Sequence, residues 1–210
     1  MNNPWETVSL SDYEQHMSSD DVMQLQTLND MMRTQLVSFP ADTAMILGIA
    51  GGNGLEHIST DKYRKVYGVD VNEGYLDEVK KRYAALDGCL ECICADLTDD
   101  KVSLPHAGLL IADLLIEYIG YDCFERVISV TAPEYISCGV QIDTGSGFVS
   151  ESPLTHSFDC LGSIHRSISP SVLTGRLECI GYDLISSQEY LLPNGKKLIR
   201  TDHRRTGGTI

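Results

Sequence analysis

The sequence lacks the features that mark membrane, secreted and nucleic-acid-binding proteins. No apolar run approaches the ~20 residues needed to span a bilayer, and the longest, at 107–116, is interrupted by Asp113. Residues 1–6 have no basic segment followed by an apolar core, so we expect no signal peptide. The 16 basic and 30 acidic residues give a formal charge of -14, which disfavours a polyphosphate partner. We therefore expect a cytoplasmic protein with no membrane or nucleic-acid partner.

Patterns typical of metal sites and hydrolases are missing as well. Seven cysteines without an export signal are typical of free thiols in a reducing compartment. Cys89, Cys92 and Cys94 lie close together, but a structural zinc site needs four ligands and no second Cys/His cluster follows at suitable spacing. We expect no metal, because free cysteine on a strand often behaves as a small buried hydrophobe. There is no Gly-x-Ser-x-Gly elbow.

Helical and strand-like patterns alternate along the chain, without repeats or low-complexity linkers, and 210 residues fit one α/β domain. Apolar residues recur every three or four positions over 22–36, which predicts a helix that ends before Pro40. Strand-like runs alternate with helical segments, which predicts a parallel sheet with helices on both faces. The runs are 43–49, 65–71, 89–95, 108–115 and 135–143; the helices are 74–86, a short one around Phe124, and one from Ser169 to Gly181.

The C-terminal part breaks this alternation. Two strand-like runs, 182–191 and 197–201, flank Pro193-Asn194-Gly195, and Asn-Gly between such runs is typical of a tight hairpin. The parallel series therefore ends in an antiparallel pair.

The most informative segment is the loop of small residues after the first predicted strand, Gly48-Ile49-Ala50-Gly51-Gly52-Asn53-Gly54. Small residues there let the backbone turn sharply and bring its N–H groups near a ligand. The dinucleotide fingerprint G-x-G-x-x-G fits in no register. The loop therefore favours a nucleoside over a pyrophosphate. A nicotinamide-dependent oxidoreductase remains an alternative, disfavoured also by the antiparallel end.

This loop resembles motif I of class I S-adenosylmethionine-dependent methyltransferases, Asp/Glu-x-Gly-x-Gly-x-Gly. Gly52 and Gly54 match the second and third glycines, whereas Ala50 replaces the first. Gly48 stands where the family carries its acidic residue, which helps to organise the methionine end of the cofactor. A catalytically silent adenosylmethionine-binding or regulatory protein is therefore a second alternative.

Three further segments resemble family motifs and follow in the family's order. Asp70, at the end of the second predicted strand, would accept hydrogen bonds from the ribose hydroxyls, with Val71 against the adenine. Asp96 and Leu97 match the segment whose acidic residue takes the adenine amine. Asp113 lies in a segment, 110–118, that resembles motif IV beside the transferable methyl group.

The resemblance implies a doubly wound, seven-stranded, mostly parallel sheet with an antiparallel last strand and an N-terminal helical cap. We expect one domain over 1–210: a helical cap or lid at 1–40, a cofactor-binding core at 41–145, and a substrate-side segment with the hairpin at 146–210. The expected cofactor is S-adenosylmethionine, and the oligomeric state stays open. The predicted cofactor-binding residues are Tyr13, Met17, Gly48, Ala50, Gly52, Asp70, Val71, Asp96, Leu97 and Asp113.

Methyl transfer is an in-line displacement that depends mainly on positioning, and it needs a general base only when the nucleophile carries a proton at neutral pH. His16, in the predicted lid at 13–17, and Glu117, just past motif IV, are the candidates for that base. A polar surface turn is the alternative for 13–17. We expect a small-molecule acceptor between the lid and residues 150–166, a segment in which His165 is either a site residue or a surface histidine.

Overall fold

Seven strands form one sheet in the computed structural model, which describes residues 3–142, 149–150 and 153–207. The strands are β1 (Thr43–Leu47), β2 (Lys65–Asp70), β3 (Leu90–Cys94), β4 (Leu109–Asp113), β5 (Tyr135–Ile142), β6 (Tyr182–Leu191) and β7 (Lys197–Arg205). The α-helices are α1 (Leu10–Ser18), α2 (Gln24–Ser38), α3 (Glu73–Arg82), α4 (Ile116–Thr131) and α5 (Pro170–Cys179). Short 3₁₀ helices occupy Pro4–Glu6, Leu55–His57, Ala84–Leu86 and Thr155–Ser163.

The strand order is β3-β2-β1-β4-β5-β7-β6. Strands β1 to β5 pair in parallel, and β7 runs antiparallel to both of its neighbours. The predicted fold, including the antiparallel end and the helical cap, is confirmed. The chain reverses its winding direction between β1 and β4, and open α/β sheets bind ligands beyond the strand ends at such a point.

Each face of the sheet has its own apolar core. Met32 and Leu36 of α2 pack with Leu76 of α3 on one face, whereas Phe124 of α4 and Leu173 of α5 pack on the other. All five residues of β1 are buried. An apolar run without alternation is what a parallel strand covered on both faces requires.

The N-terminal cap consists of two helices rather than a turn followed by one helix. The predicted lid segment, 13–17, lies inside α1, which Ser9 caps by accepting a hydrogen bond from the Asp12 N–H. The predicted helix at 22–36 begins later, at Gln24, because Met23 adopts a left-handed conformation with φ 52°. Two helices thus precede the sheet.

Strand β7 runs to Arg205, beyond the predicted end at residue 201. Its polar residues Arg200, Asp202 and His203 are buried. Because every residue from 198 to 203 is buried, the strand does not show the alternation of apolar and polar residues that is typical of a strand with one exposed face. In β5, predicted to reach Asp143, that last residue lies outside the described ranges.

Within the described ranges, no helix is long and apolar enough to cross a membrane.

Candidate active site

A cavity of about 450 Å³ lies beyond the carboxyl ends of β1, β2, β3 and β4. Every predicted site residue lines it except Gly52. The cavity is therefore the point where the candidates named from the sequence meet.

The loop after β1 turns beneath this cavity. The Gly48 and Ile49 N–H groups both donate to the Val69 carbonyl, at 2.8 and 3.1 Å. The Ala50 N–H donates to Asp70 Oδ2 at 2.9 Å. Ala50 has a φ of 45°, a left-handed conformation that costs a residue with a Cβ ~1–2 kcal/mol. The bond to Asp70 helps to hold that conformation.

Gly52 serves the turn rather than the cavity wall. Its φ is 85°, and a Cβ there would lie 2.7 Å from Tyr83 Cε2 and 3.0 Å from Leu55 Cδ1. Glycine is required by this packing. Gly52 does not line the cavity, and its assignment to the cofactor site stays a prediction.

Asp70 is buried at the end of β2 and lines the cavity. Its Oδ1 accepts the Asn72 N–H and its Oδ2 the Ala50 N–H, both at 2.9 Å. Burial raises the pKa of Asp70, and these backbone bonds oppose the rise without cancelling it. A carboxylate has about four lone-pair sites, so Asp70 can accept a further bond in addition to those from the backbone.

Asp96 is held by two neighbours after β3. Its Oδ1 accepts the Thr98 N–H at 2.9 Å and the Thr98 hydroxyl at 2.7 Å, and its Oδ2 accepts the Asn3 amide at 3.1 Å. Burial pushes the pKa of Asp96 up, but the bonds from Thr98 and Asn3 bring it below its usual value. The partly exposed Val71 and the buried Leu97 line the same end of the cavity.

Asp113 ends β4 within a buried polar network. Its Oδ1 accepts the Gln35 amide at 3.0 Å, and the same amide donates to Ser137. Ser137 and Arg200 both donate to Asp202. Among the described residues, Asp113 Oδ2 has no hydrogen-bond partner. Burial raises the pKa of Asp113 to about 6, against the lowering effects of Gln35 and Arg200.

Gly48 and Asp113 are neighbours across two strands. Leu47 pairs with Ala112 in the parallel register, so the next residue of each strand, Gly48 and Asp113, lies at the same edge. Both line the cavity. A carboxylate is therefore present beside the position at which the loop lacks one.

Helix α1 forms one wall of the cavity through Tyr13, His16 and Met17. The buried His16 ring packs against Phe158 with 4.7 Å between ring centroids. Burial lowers the pKa of His16, and the charge of Lys196 lowers it further. Burial has the opposite effect on the pKa of Tyr13, which it raises, and the charge of Asp70 raises it further.

Glu117 lies in the first turn of α4, where Gly120 interrupts the helix with φ 76° and ψ 169°. The Glu117 side chain is buried, and its Oε1 accepts the Gln141 N–H at 2.9 Å. The Glu117 carbonyl accepts the Arg166 N–H at 2.7 Å. A Cβ at Gly120 would lie 2.7 Å from Arg166 Nη1, so glycine permits this close packing beside the site.

Aromatic rings complete the wall, and among them Trp5 was not predicted from the sequence. Trp5 meets Tyr118 edge-on with 5.0 Å between centroids, and Tyr13 with 6.0 Å. Tyr118 meets His165 with 5.7 Å between centroids. His165 is thus a cavity residue rather than a surface histidine.

The N-terminal segment 3–8 fastens over the cavity by contacts that the sequence does not reveal. The Asn72 amide donates to the Trp5 carbonyl at 3.0 Å. The Tyr75 hydroxyl donates to the Val8 carbonyl at 2.8 Å. These bonds join positions 67 residues apart, and no local motif marks them. We call residues 3–8 the N-terminal strap.

No family model and no curated protein matches the sequence, whereas solved structures match the fold. Magnesium protoporphyrin IX methyltransferase from Synechocystis PCC 6803 with bound S-adenosylhomocysteine has a TM-score of 0.74 at 11% identity, covering 98% of both chains. The N-methyltransferase NodS from Bradyrhizobium japonicum WM9 has a TM-score of 0.67 at 11% identity, covering 93% of this chain and 97% of that one.

The chain therefore has the class I methyltransferase fold, as its resemblance to the family implied. The [4+2]-cyclase SpnF shares this fold, with a TM-score of 0.65 at 10% identity over 90% of this chain and 85% of that one. Because a cyclase and methyltransferases have the same architecture, the reaction must be argued from the site itself.

Proposed function

We propose that the chain binds S-adenosylmethionine in this cavity and transfers its methyl group to a small molecule. The observation that carries the proposal is the arrangement of Asp70, Asp96 and Asp113 at the carboxyl ends of β2, β3 and β4 around one cavity. Solved structures of the same fold contain S-adenosylmethionine or S-adenosylhomocysteine. The volume of about 450 Å³ lies within the ~300–1,000 Å³ of ordinary ligand pockets.

Asp70 is the proposed ribose ligand. The Ala50 and Asn72 N–H groups fix the orientation of its carboxylate, which has about four lone-pair sites in all. Two neighbouring hydroxyls of a ribose can donate to such a carboxylate. These charge-assisted bonds are the stronger kind in proteins.

Asp96 is the proposed adenine ligand, with Val71 and Leu97 as apolar walls. The Asn3 amide already donates to Asp96 Oδ2, so an adenine amine would share that oxygen or replace the amide. The bonds from Thr98 keep Asp96 ionised, and an ionised carboxylate accepts an amine donor well.

Asp113 is the proposed ligand of the methionine ammonium group, in place of the carboxylate that Gly48 lacks. Its Oδ2 is buried and, within the described ranges, has no hydrogen-bond partner. Leaving such an atom unsatisfied costs ~1–3 kcal/mol or more for a charged group. An ammonium group at this place would remove that cost, while Gln35 holds the other oxygen in position.

Bound adenosylmethionine supplies an electrophilic methyl group on a positively charged sulfur. The strap and α1 cover the cavity with Trp5, Tyr13 and Met17, and such a cover keeps water away from the reacting groups. Burial lowers the pKa of His16 and thereby favours its uncharged form. His16 and Glu117 are the groups in the cavity that we propose to take a proton from the acceptor.

Titration calorimetry with S-adenosylhomocysteine tests the proposal. Asp70→Ala should weaken binding by ~1.5–3 kcal/mol, roughly ten- to a hundredfold, because it removes a charge-assisted pair of bonds. Asp42→Ala is the matched control, since its carboxylate pairs with Arg64 on the surface, and it should bind as the wild type does. Equal affinity of the Asp70 variant, or equally tight binding of NAD, would contradict the proposal.

A further inference from the structure

We propose that the methyl acceptor is an amine that carries an aromatic or heteroaromatic ring, and that acceptors carrying a carboxylate or phosphate are excluded. This inference rests on the proposed function, because it concerns the part of the same cavity that the bound cofactor would not occupy. We call that part the acceptor half. It is lined by Trp5, His16, Glu117, Tyr118, Phe158 and His165.

The acceptor half is built from rings. Trp5 and Tyr118 pack edge-on, and both belong to one apolar cluster with the buried Phe158. His165 extends this wall from Tyr118, and His16 extends it from Phe158. A flat ring fits such walls, because aromatic rings that meet edge-on or stack with an offset attract one another beyond the area they bury.

The charged side chains that line the cavity within the described ranges are all carboxylates. Asp70, Asp96, Asp113 and Glu117 line it, and no lysine or arginine does. All 16 basic side chains of the sequence lie within the described ranges. The cavity wall therefore offers carboxylates and rings to a ligand, but no basic side chain of the protein.

Two cations lie near the cavity without lining it. Lys196 is buried and close enough to lower the pKa of His16. Arg166 packs against Gly120. Neither belongs to the cavity wall, so an acidic acceptor beside Glu117 would gain a like charge and no direct cationic partner. Repulsion between the Glu117 carboxylate and an acidic group of the acceptor would oppose binding of that acceptor.

An amine has the opposite properties. Protonated, it is attracted by the Glu117 carboxylate and by the faces of the Trp5 and Tyr118 rings, which bind cations through their quadrupoles. Uncharged, it presents a nitrogen lone pair to the electrophilic methyl group. The new N–C bond then forms as the sulfur–carbon bond breaks, the bonding pair stays on sulfur, and the amine's proton passes to Glu117 or His16.

Matched ligand pairs with the same ring and opposite charge test this inference on protein saturated with S-adenosylhomocysteine. We would measure binding of 2-phenylethylamine against phenylacetate, and of tryptamine against indole-3-acetate, by calorimetry. The amine of each pair should bind at least tenfold more tightly. Glu117→Gln should reduce this ratio about tenfold, whereas Glu134→Gln, on the surface beside Arg204, should leave it unchanged.

Equal or tighter binding of the carboxylates overturns the inference, and so does the absence of binding by both members of both pairs. Labelled adenosylmethionine gives a second readout, since label should pass to amines and not to their acid counterparts. If S-adenosylhomocysteine itself does not bind, the proposed function fails. If it binds but the amines show no preference, only the acceptor class fails.

Discussion

Three aspartates, at the carboxyl ends of β2, β3 and β4, have different environments. Asp70 is fixed by backbone N–H groups, Asp96 by side chains of Thr98 and Asn3, and Asp113 by the Gln35 amide and the Gly139 backbone. Their positions after predicted strands could be read from the sequence. Their environments could not, because Gln35 and Asn3 come from segments far away along the chain.

Asp113 should make cofactor affinity depend on pH. Its pKa is raised to about 6, so the ionised form that accepts an ammonium group is lost as the pH falls through that value. Affinity for S-adenosylhomocysteine should fall by up to about tenfold per pH unit below 6, because protons compete with the ligand. Calorimetry at pH 5 to 8 measures this dependence.

The variant Asp113→Asn should bind S-adenosylhomocysteine weakly, and its affinity should not change between pH 5 and 8. The comparison is needed because Arg200, Asp202 and Cys138 also interact electrostatically with this carboxylate. An unchanged slope in the variant would assign the pH dependence to another group.

At the scale of elements, the sequence predicted the helices and strands better than their contacts. Periodicity identified α2 and the strands because each buries a regular set of apolar side chains. The strap escaped prediction, since its place depends on single hydrogen bonds from Asn72 and Tyr75. Residues 13–17 lie in α1 on the cavity wall, and their role as a lid stays a prediction.

Tyr75→Phe should weaken binding of S-adenosylhomocysteine by roughly three- to tenfold. The substitution removes the hydrogen bond that joins α3 to the strap, and one such bond contributes ~0.5–1.5 kcal/mol. Tyr182→Phe is the matched control. Its hydroxyl donates to the Pro133 carbonyl at 2.8 Å, also in a buried site but at the far end of the sheet. Urea denaturation should show similar losses of stability in both variants.

The result for ligand affinity should differ between these two variants. Only Tyr75→Phe should lose affinity if the strap closes the site. A similar loss in both variants would indicate a general effect of destabilisation instead.

At the scale of the whole molecule, the alternation of strands and helices and the final hairpin were enough to predict the sheet. The cavity was predicted only in part, because its residues are joined by the fold and not by sequence spacing. Polar residues inside β7 form the buried end of the network that reaches Asp113. Sequence patterns treat such residues as exposed, so this network was not foreseen.

His203 of β7 should make the protein sensitive to acid. Its side chain is fully buried, neither ring nitrogen has a hydrogen-bond partner among the described residues, and burial lowers its pKa to about 4. Because an unfolded histidine titrates near 6.5, the unfolded chain binds more protons between these values. Stability should therefore fall by on the order of 3 kcal/mol as the pH drops from about 6.5 to 4.

Urea denaturation of wild type and His203→Leu at pH 7 and pH 4.5 measures this contribution. The variant should lose less stability on acidification, whereas His156→Gln, at an exposed position, should follow the wild type. Equal losses in wild type and His203→Leu would show that His203 does not control the response.

The most direct test of the central claim is a crystal structure of the chain with S-adenosylhomocysteine. We expect the ribose hydroxyls within hydrogen-bond distance of Asp70, the ammonium group at Asp113, and the sulfur facing the acceptor half beside Glu117. A ligand bound outside the cavity, or one whose ribose lies away from Asp70, would contradict the account.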